Sequence, residues 1–469
     1  MPFMVSPLAV GGMGWTPSRA GAVYALYASL VYLAALPGGW IADRLLGARR
    51  SVFFGGCIIM CGHISLAIPG IVTFFLGLML VVTGTGMLKP NISTMVGQLY
   101  APADQRRDAG FSLFYMGINL GALIAPLVTS TLAQTDWFKG LLTGWGIRPE
   151  TSWHWGFAAA AVGMFLGLLW YVLDRRSMGE AGLHPAPVSG PDEAAAIRIR
   201  FRRGALVVVG VLLLIAVLRI SGVLTFTIER LSSSFGVVLS VAVIAFFAWL
   251  FLSGDWTMEE RRRLIVVAVL FFAEAVFWSV FEQAGSTLNL FALNNTRNVI
   301  FGHAFPSGYW QSVNSTLIVI FAPVFAWIWF KLGTRDPSSP TKFALGLFFV
   351  SLSFAWMIPG ATLAAHGDKV GWWWLLGSYF FATVGELCLS PVGLSAMTRL
   401  APARVASMIM GVWFFGTAVG EYIGGTVSRL YGSMSLPSLF GAVACYAMIF
   451  AIILAFSIRP IKRMLARPA

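Results

Sequence analysis

The sequence predicts an all-α polytopic membrane protein, and three observations predict it. Apolar runs of spanning length recur from end to end, charged residues are scarce, and Lys and Arg collect in alternate loops. Of the 469 residues, 58% are hydrophobic and 11% charged, with a mean hydropathy of +0.80. A soluble domain carries about a quarter charged residues, so the solvent for most of this chain is lipid. The 50 glycines suit close helix packing in a bilayer. The 37 Phe, 18 Trp and 11 Tyr suit interfacial belts and an aromatic-lined pathway.

Runs long enough to cross as helices lie near 19–43, 50–69, 71–99, 108–133, 152–174, 203–222 and 234–253. Others lie near 263–293, 309–332, 341–360, 370–400, 405–431 and 436–457. These thirteen candidate spans leave no room for a soluble domain. Arg44, Arg49, Arg50, Arg106, Arg107, Arg175, Arg176, the Arg198–Arg203 cluster and Arg261 to Arg263 fall in alternate loops. Lys331, Arg335, Lys342, Arg399, Arg404 and the basic C-terminal tail continue the pattern. Those loops and the C-terminus are therefore expected to be cytoplasmic in a cell (inner) membrane. The net charge of +13 is topological and excludes a nucleic-acid footprint.

A polar stretch from Asp174 to Arg203, with Pro185, Pro187, Gly190 and Pro191, reads as a flexible connector. It divides the chain into an N-terminal bundle (1–176), a linker (177–202), two additional helices (203–262) of structural character, and a C-terminal bundle (263–469). Counting thirteen spans back from a cytoplasmic C-terminus places Met1 outside. The first ten residues are apolar but too short to span, and they lack a signal peptide's basic flank. The expectation is that most of one upstream helix lies outside this sequence.

Ionisable residues inside spans mark function by default. Lys89 lies about four residues from the middle of its span, ~6 Å from the midplane, and its own helix offers no carboxylate partner. The upstream segment is expected to supply one. Glu282 and Glu386 sit deep in spans 263–293 and 370–400; Glu274 and Glu421 are also intramembrane and read equally as structural or functional. Carboxylates in a low dielectric take up and release protons near neutral pH, so a lysine facing glutamates forms a protonation-sensitive latch between bundles. Prolines accompany these charges: GTGMLKPN (84–91) and GELCLSPVGL (385–394) predict helix breaks next to charge, as at transporter substrate sites.

Other residues take plainer readings. Cys57, Cys61, Cys388 and Cys445 lie in apolar runs with no partner cluster for a metal. His63 reads as a packing residue, and His303 and His366 fall in external loops. Trp327, Trp329 and Trp413 serve core, belt or pocket equally well; Trp278, one turn before Glu282, reads as pocket. Asn119 and Asn314 either join helices or bind substrate. The absence of a metal motif, nucleophile elbow, P-loop or dinucleotide fingerprint argues against a membrane-embedded enzyme.

Several segments, in order along the chain, are specific. GGWIADRLLGARR (38–50) is similar to the cytoplasmic hairpin motif of the major facilitator superfamily. RRDAGFSLFYMGINLG (106–121), FWSVFEQAGSTLNLFA (277–292), WQSVNSTLIVIFAP (310–323), GELCLSPVGL and MGVWFFG (410–416) resemble the proton-dependent oligopeptide transporters of that superfamily. The resemblance runs from about Gly21 to the C-terminus. It implies two six-helix bundles plus two extra helices, with about thirteen of fourteen spans present. It also implies a proton-coupled symporter importing di- and tripeptides as a monomer, driven by the proton gradient without a cofactor.

The resemblance further implies roles. Lys89 would help bind the peptide carboxylate and take part in proton coupling, and Glu386 would receive the peptide amino terminus and join the gating ion pairs. Glu282 would be a proton-linked carboxylate, Asn119 and Asn314 would bond the peptide backbone, and Tyr32, Trp278 and Trp413 would line side-chain pockets. One departure stands out: the family's E-x-x-E-R motif, whose glutamates are the expected partners of Lys89, is absent. Transport of another peptide-like or anionic solute, or an inactive truncated chain, are the alternatives this leaves.

Overall fold

The computed structural model describes residues 1–100, 106–185, 190–222, 225, 227–252, 256–400 and 406–465. Among the described residues thirteen long helices carry the fold, and each predicted span falls on one of them. They are α1 (Pro17–Leu46), α2 (Ala48–Ala67), α3 (Ile71–Gln98), α4 (Arg106–Gln134), α5 (Ser152–Leu173), α6 (Pro191–Ile220) and α7 (Ile228–Leu252). Then come α8 (Met258–Asn294), α9 (Gln311–Leu332), α10 (Ser339–Ala365), α11 (Trp373–Leu400), α12 (Ala406–Val427) and α13 (Leu436–Leu465). Among the described residues, ten helices are long and apolar enough to cross a membrane. The only strands described form a two-stranded turn, Val299–Ile300 with His303–Ala304.

In the first half, α2 packs between α3 and α5, and α1 lies along α3. In the second, α10 packs against α11 and α13, and α8 runs through the middle. Phe271, Phe277, Leu264 and Leu270 of α8 are fully buried. The halves meet along two seams, α1 on α12 and α4 on α9. Glycine makes the first seam: a Cβ at Gly425 would lie 2.5 Å from the Ala25 Cα, so α12 approaches α1 to backbone contact. Within the first half a Cβ at Gly86 would lie 2.5 Å from the Ala34 carbonyl oxygen, which brings α3 equally close to α1. Of the two additional helices, α7 packs along α1, whereas α6 contacts chiefly the turn at the end of α1.

Two expectations need correction. Helix α3 continues through Pro90 and α11 continues through position 391, so neither breaks beside its charge. In α3 the Asn91 amide donates to the carbonyls of Met87 (2.7 Å) and Gly38 (3.3 Å). Pro90 costs the helix its bond to the Gly86 carbonyl, and neither Asn91 contact replaces it, yet the turn stays helical. The break next to charge is instead in α8, which tightens to a 3-10 turn over Glu282–Gly285 and resumes at Thr287.

The connector is also more ordered than its composition predicts. Residues from 191 onward are helical, with Asp192 and Glu193 in the first turn, where the helix dipole favours acids. Residues 179–182 are tied down: Arg49 Nη2 donates to the Gly179 carbonyl at 2.7 Å, and the Gly182 amide donates to Gln98 Oε1 at 2.7 Å. Pro187, Arg404 and Arg467 lie outside the described residues.

Replacing Gly425 with Leu is expected to cost about 1–3 kcal/mol by overpacking the α1–α12 seam. The melting temperature of the purified protein should fall, while Gly39→Ala, where a Cβ meets open space, should leave it near wild type. Equal melting of the two variants would contradict this packing.

Candidate functional site

The site begins with the cost of Lys89. An ammonium at this depth needs compensation, and its own helix supplies none. Its Nζ lies 3.7 Å from the centroid of the Tyr32 ring on α1, a cation–π contact strengthened by desolvation. Among the described residues no carboxylate oxygen comes within 4.0 Å of it. Two carboxylates nonetheless act on it electrostatically, Glu282 at the start of the α8 break and Glu421 on α12. Both belong to the other half of the molecule.

Glu386 on α11 is the second anchor. It is 9% exposed, and Asn314 Nδ2 on α9 donates to its Oε2 at 3.0 Å and to Thr383 Oγ1 at 3.0 Å. Glu282 acts on it electrostatically, and Glu386 in turn acts on Tyr115 of α4. Glu274 is fully buried; its Oε1 accepts from Thr417 Oγ1 on α12 at 2.9 Å, while its Oε2 has no hydrogen-bond partner. The Trp278 indole nitrogen lies beside Glu274 yet also completes no hydrogen bond. Such unpaired buried polar atoms are where a proton, a water or a ligand group is needed.

The structure therefore gathers Lys89, Tyr32, Glu282, Glu386 and Asn314 from five helices around one centre. Trp278 stands at its edge, packed edge-on against Phe281 at 5.3 Å. Asn119 is buried on α4, but its amide donates to the Tyr115 carbonyl of its own helix at 3.0 Å. Trp413 is buried against Phe343 and against Gly393, where an added Cβ would lie 1.9 Å from its ring. Sequence reasoning missed Tyr24, Tyr115, Thr383 and Thr417. Tyr24 is two helical turns before Tyr32 and Tyr115 one turn before Asn119, so helical periodicity alone carried the signal for both.

At the end remote from the basic loops the halves are closed by uncharged contacts. Thr131 Oγ1 and Tyr309 Oη are 2.7 Å apart, Ser307 donates to Gln134 Oε1 at 3.1 Å, and Ser312 donates to the Leu123 carbonyl at 2.7 Å. Charge is thus concentrated at mid-depth and neutral polar contacts at the closed end.

Residues 49–438 match the model of the POT family, PTR2. The chain is 38% identical over 479 residues to the peptide transporter YePEPT of Yersinia enterocolitica subsp. palearctica serotype O:3 (strain YE-P4), covering 99% of this chain and 90% of that protein. It is 35% identical over 465 residues to the di-/tripeptide transporter of Lactococcus lactis subsp. cremoris, covering 97% and 89%. It also superposes with a TM-score of 0.87 on a POT family transporter crystallised with a thioalcohol conjugated peptide, at 32% identity over 98% of this chain and 92% of that one.

Asn314→Ala removes the side-chain donor from Glu386 and should destabilise the protein by about 1–3 kcal/mol, read as a lowered melting temperature. Asn314→Gln, which keeps a donor, should recover part of the loss. A melting temperature unmoved by Asn314→Ala would show that the bond carries no weight.

Proposed function

The chain belongs to the POT family, and from that premise we propose that it imports di- and tripeptides together with protons by alternating access. The family is one of transporters, not enzymes, and its major facilitator fold is the all-α fold described above. In this reading the basic-loop end faces the cytoplasm of a cell (inner) membrane, the protein works as a monomer, and the proton gradient drives it without a cofactor. Its partners are the peptide, the proton and the lipid.

One observation carries the proposal. The mid-depth cation of one half, Lys89, has carboxylates of the other, Glu282 foremost, as its electrostatic neighbours, without a direct ion pair among the described residues. A peptide brings a carboxylate at one end and an ammonium at the other. Lys89 beside Tyr32 suits the first, and Glu386, oriented by Asn314, suits the second. Protonating Glu282 removes its attraction for Lys89 and loosens the tie between the halves. The substrate carboxylate then replaces the lost counter-charge, so proton and peptide travel together. In this reading Asn119 bonds the peptide backbone once its amide leaves the Tyr115 carbonyl. Trp278 and Trp413 shape the apolar space around the side chains.

In proteoliposomes with an inward proton gradient, dipeptide uptake should rise as the outside is acidified and collapse with a protonophore. Lys89→Ala and Glu282→Gln should each lower gradient-driven uptake by about 5–150-fold, the range of a typical coupling energy. Peptide-stimulated proton influx that survives in the double variant would sink the mechanism. Competition separates substrates: an unmodified dipeptide should displace labelled peptide, and its N-acetylated form, which cannot present an ammonium to Glu386, should not.

A further inference from the structure

We propose that Glu421 on α12 is a further proton-coupling residue, sharing with Glu282 the role of counter-charge to Lys89; this deepens the transport reading and rests on it. The placement follows from the register of α12. Thr417, Gly420 and Gly424 lie against α8, meeting Glu274, Trp278 and Ser279 respectively. Gly425, and Ser428 just beyond the helix, lie against Ala25 and Gly21 of α1. Residues three and four apart share a helix face, so Glu421 falls between these two sets and points into the seam where α1, α8 and α12 meet.

Lys89 enters that seam from α3, over Tyr32. Glu282 enters it from the α8 turn, and Tyr24 reaches the same turn, with its Oη 2.2 Å from the Cβ position of Gly285. Glu421 is 4% exposed, and among the described residues its Oε2 has no hydrogen-bond partner. The titratable groups facing it are Glu282 from α8, Lys89 from α3, and Tyr24, Tyr27 and Tyr32 from α1. Arg429, two turns away, is half-buried and donates to Ser233.

Charge counting gives the function. Among the described residues of this seam, two carboxylates stand against one ammonium, and burying an uncompensated charge is expensive. One proton, shared between Glu282 and Glu421 as a coupled pair, makes the cluster neutral. The step is a simple balance: a proton from the outer side adds to a carboxylate oxygen, giving a carboxylic acid. The same proton leaves to the other side when Lys89 returns to the pair. Thr417 bonds one oxygen of Glu274, whereas the described residues give Glu421 no hydrogen bond.

The test uses the full chain, reconstituted, with Glu421→Gln and Glu421→Asp. The ratio of gradient-driven uptake to peptide counterflow should fall about tenfold in Glu421→Gln. Its uptake should lose much of its dependence on outside pH, and Glu421→Asp should recover both in part. Independently of transport, infrared difference spectra across a pH titration should show a protonated-carboxyl band in the wild type. That band should weaken in Glu421→Gln and shift in Glu421→Asp. If the wild type moves no peptide, the transport reading fails, and the infrared band alone decides the role of Glu421. If Glu421→Gln does not fold, the shifted pH profile and band of Glu421→Asp decide. A wild-type uptake ratio, pH profile and carboxyl band in the variants would overturn the proposal.

Discussion

Much of this structure follows from one electrostatic constraint: an ammonium group sits near mid-depth on a helix that carries no acid to neutralise it. Lone charges at that depth cost several kcal/mol after all relaxation. Lys89 can be stabilised only by groups that other helices bring to it, and its electrostatic partners are Glu282 and Glu421, both from the far half of the chain. Pairing Lys89 with these two carboxylates requires the halves to come together. Helix α1 is the intermediary. Its Tyr32 ring shelters the ammonium, while its small residues allow α12 and α3 to approach to backbone contact.

The chemistry of the two ends divides accordingly. At the closed end, Thr131 with Tyr309, Ser307 with Gln134, and Ser312 with a backbone carbonyl are all neutral. Each such hydrogen bond contributes about 1 kcal/mol net, so the closure can be made and unmade without moving charge. At mid-depth the contacts are ionisable, and a single proton changes their sum. A molecule that must respond to protons yet open reversibly gains from this separation. The sensitive groups set which state is preferred, and the neutral seam only registers it.

The span pattern was legible because apolar composition over about 20 residues has few other readings. Lys89, Glu282 and Glu386 were legible for the converse reason, that charge in such runs is rarely without purpose. What could not be read was pairing. Nothing in the order of residues says that Glu421 faces Lys89 rather than lipid, since that depends on Gly420, Gly424 and Gly425 fitting α8 and α1 at once. Helix breaks were misplaced because proline was taken to end a helix: α3 loses one bond at Pro90 and stays helical through it. The real break at Glu282 carries no proline. The Trp413 ring fills the space left by Gly393, a contact across helices that sequence spacing does not encode. The connector looked flexible from its prolines and glycines, while Gln98 and Arg49 pin it from distant helices.

The arrangement also constrains how the halves can separate. Moving α12 and α8 away from α3 strands Lys89 over Tyr32 alone and leaves two carboxylates facing each other. That state is stable only if the carboxylates gain protons and the lysine gains another anion. A proton and a carboxylate-bearing solute meet those two needs, and neither meets both. Obligatory pairing of proton with substrate then needs no separate gate or signal. It follows from the fact that the low-dielectric centre tolerates neither kind of uncompensated charge, whichever way the site faces.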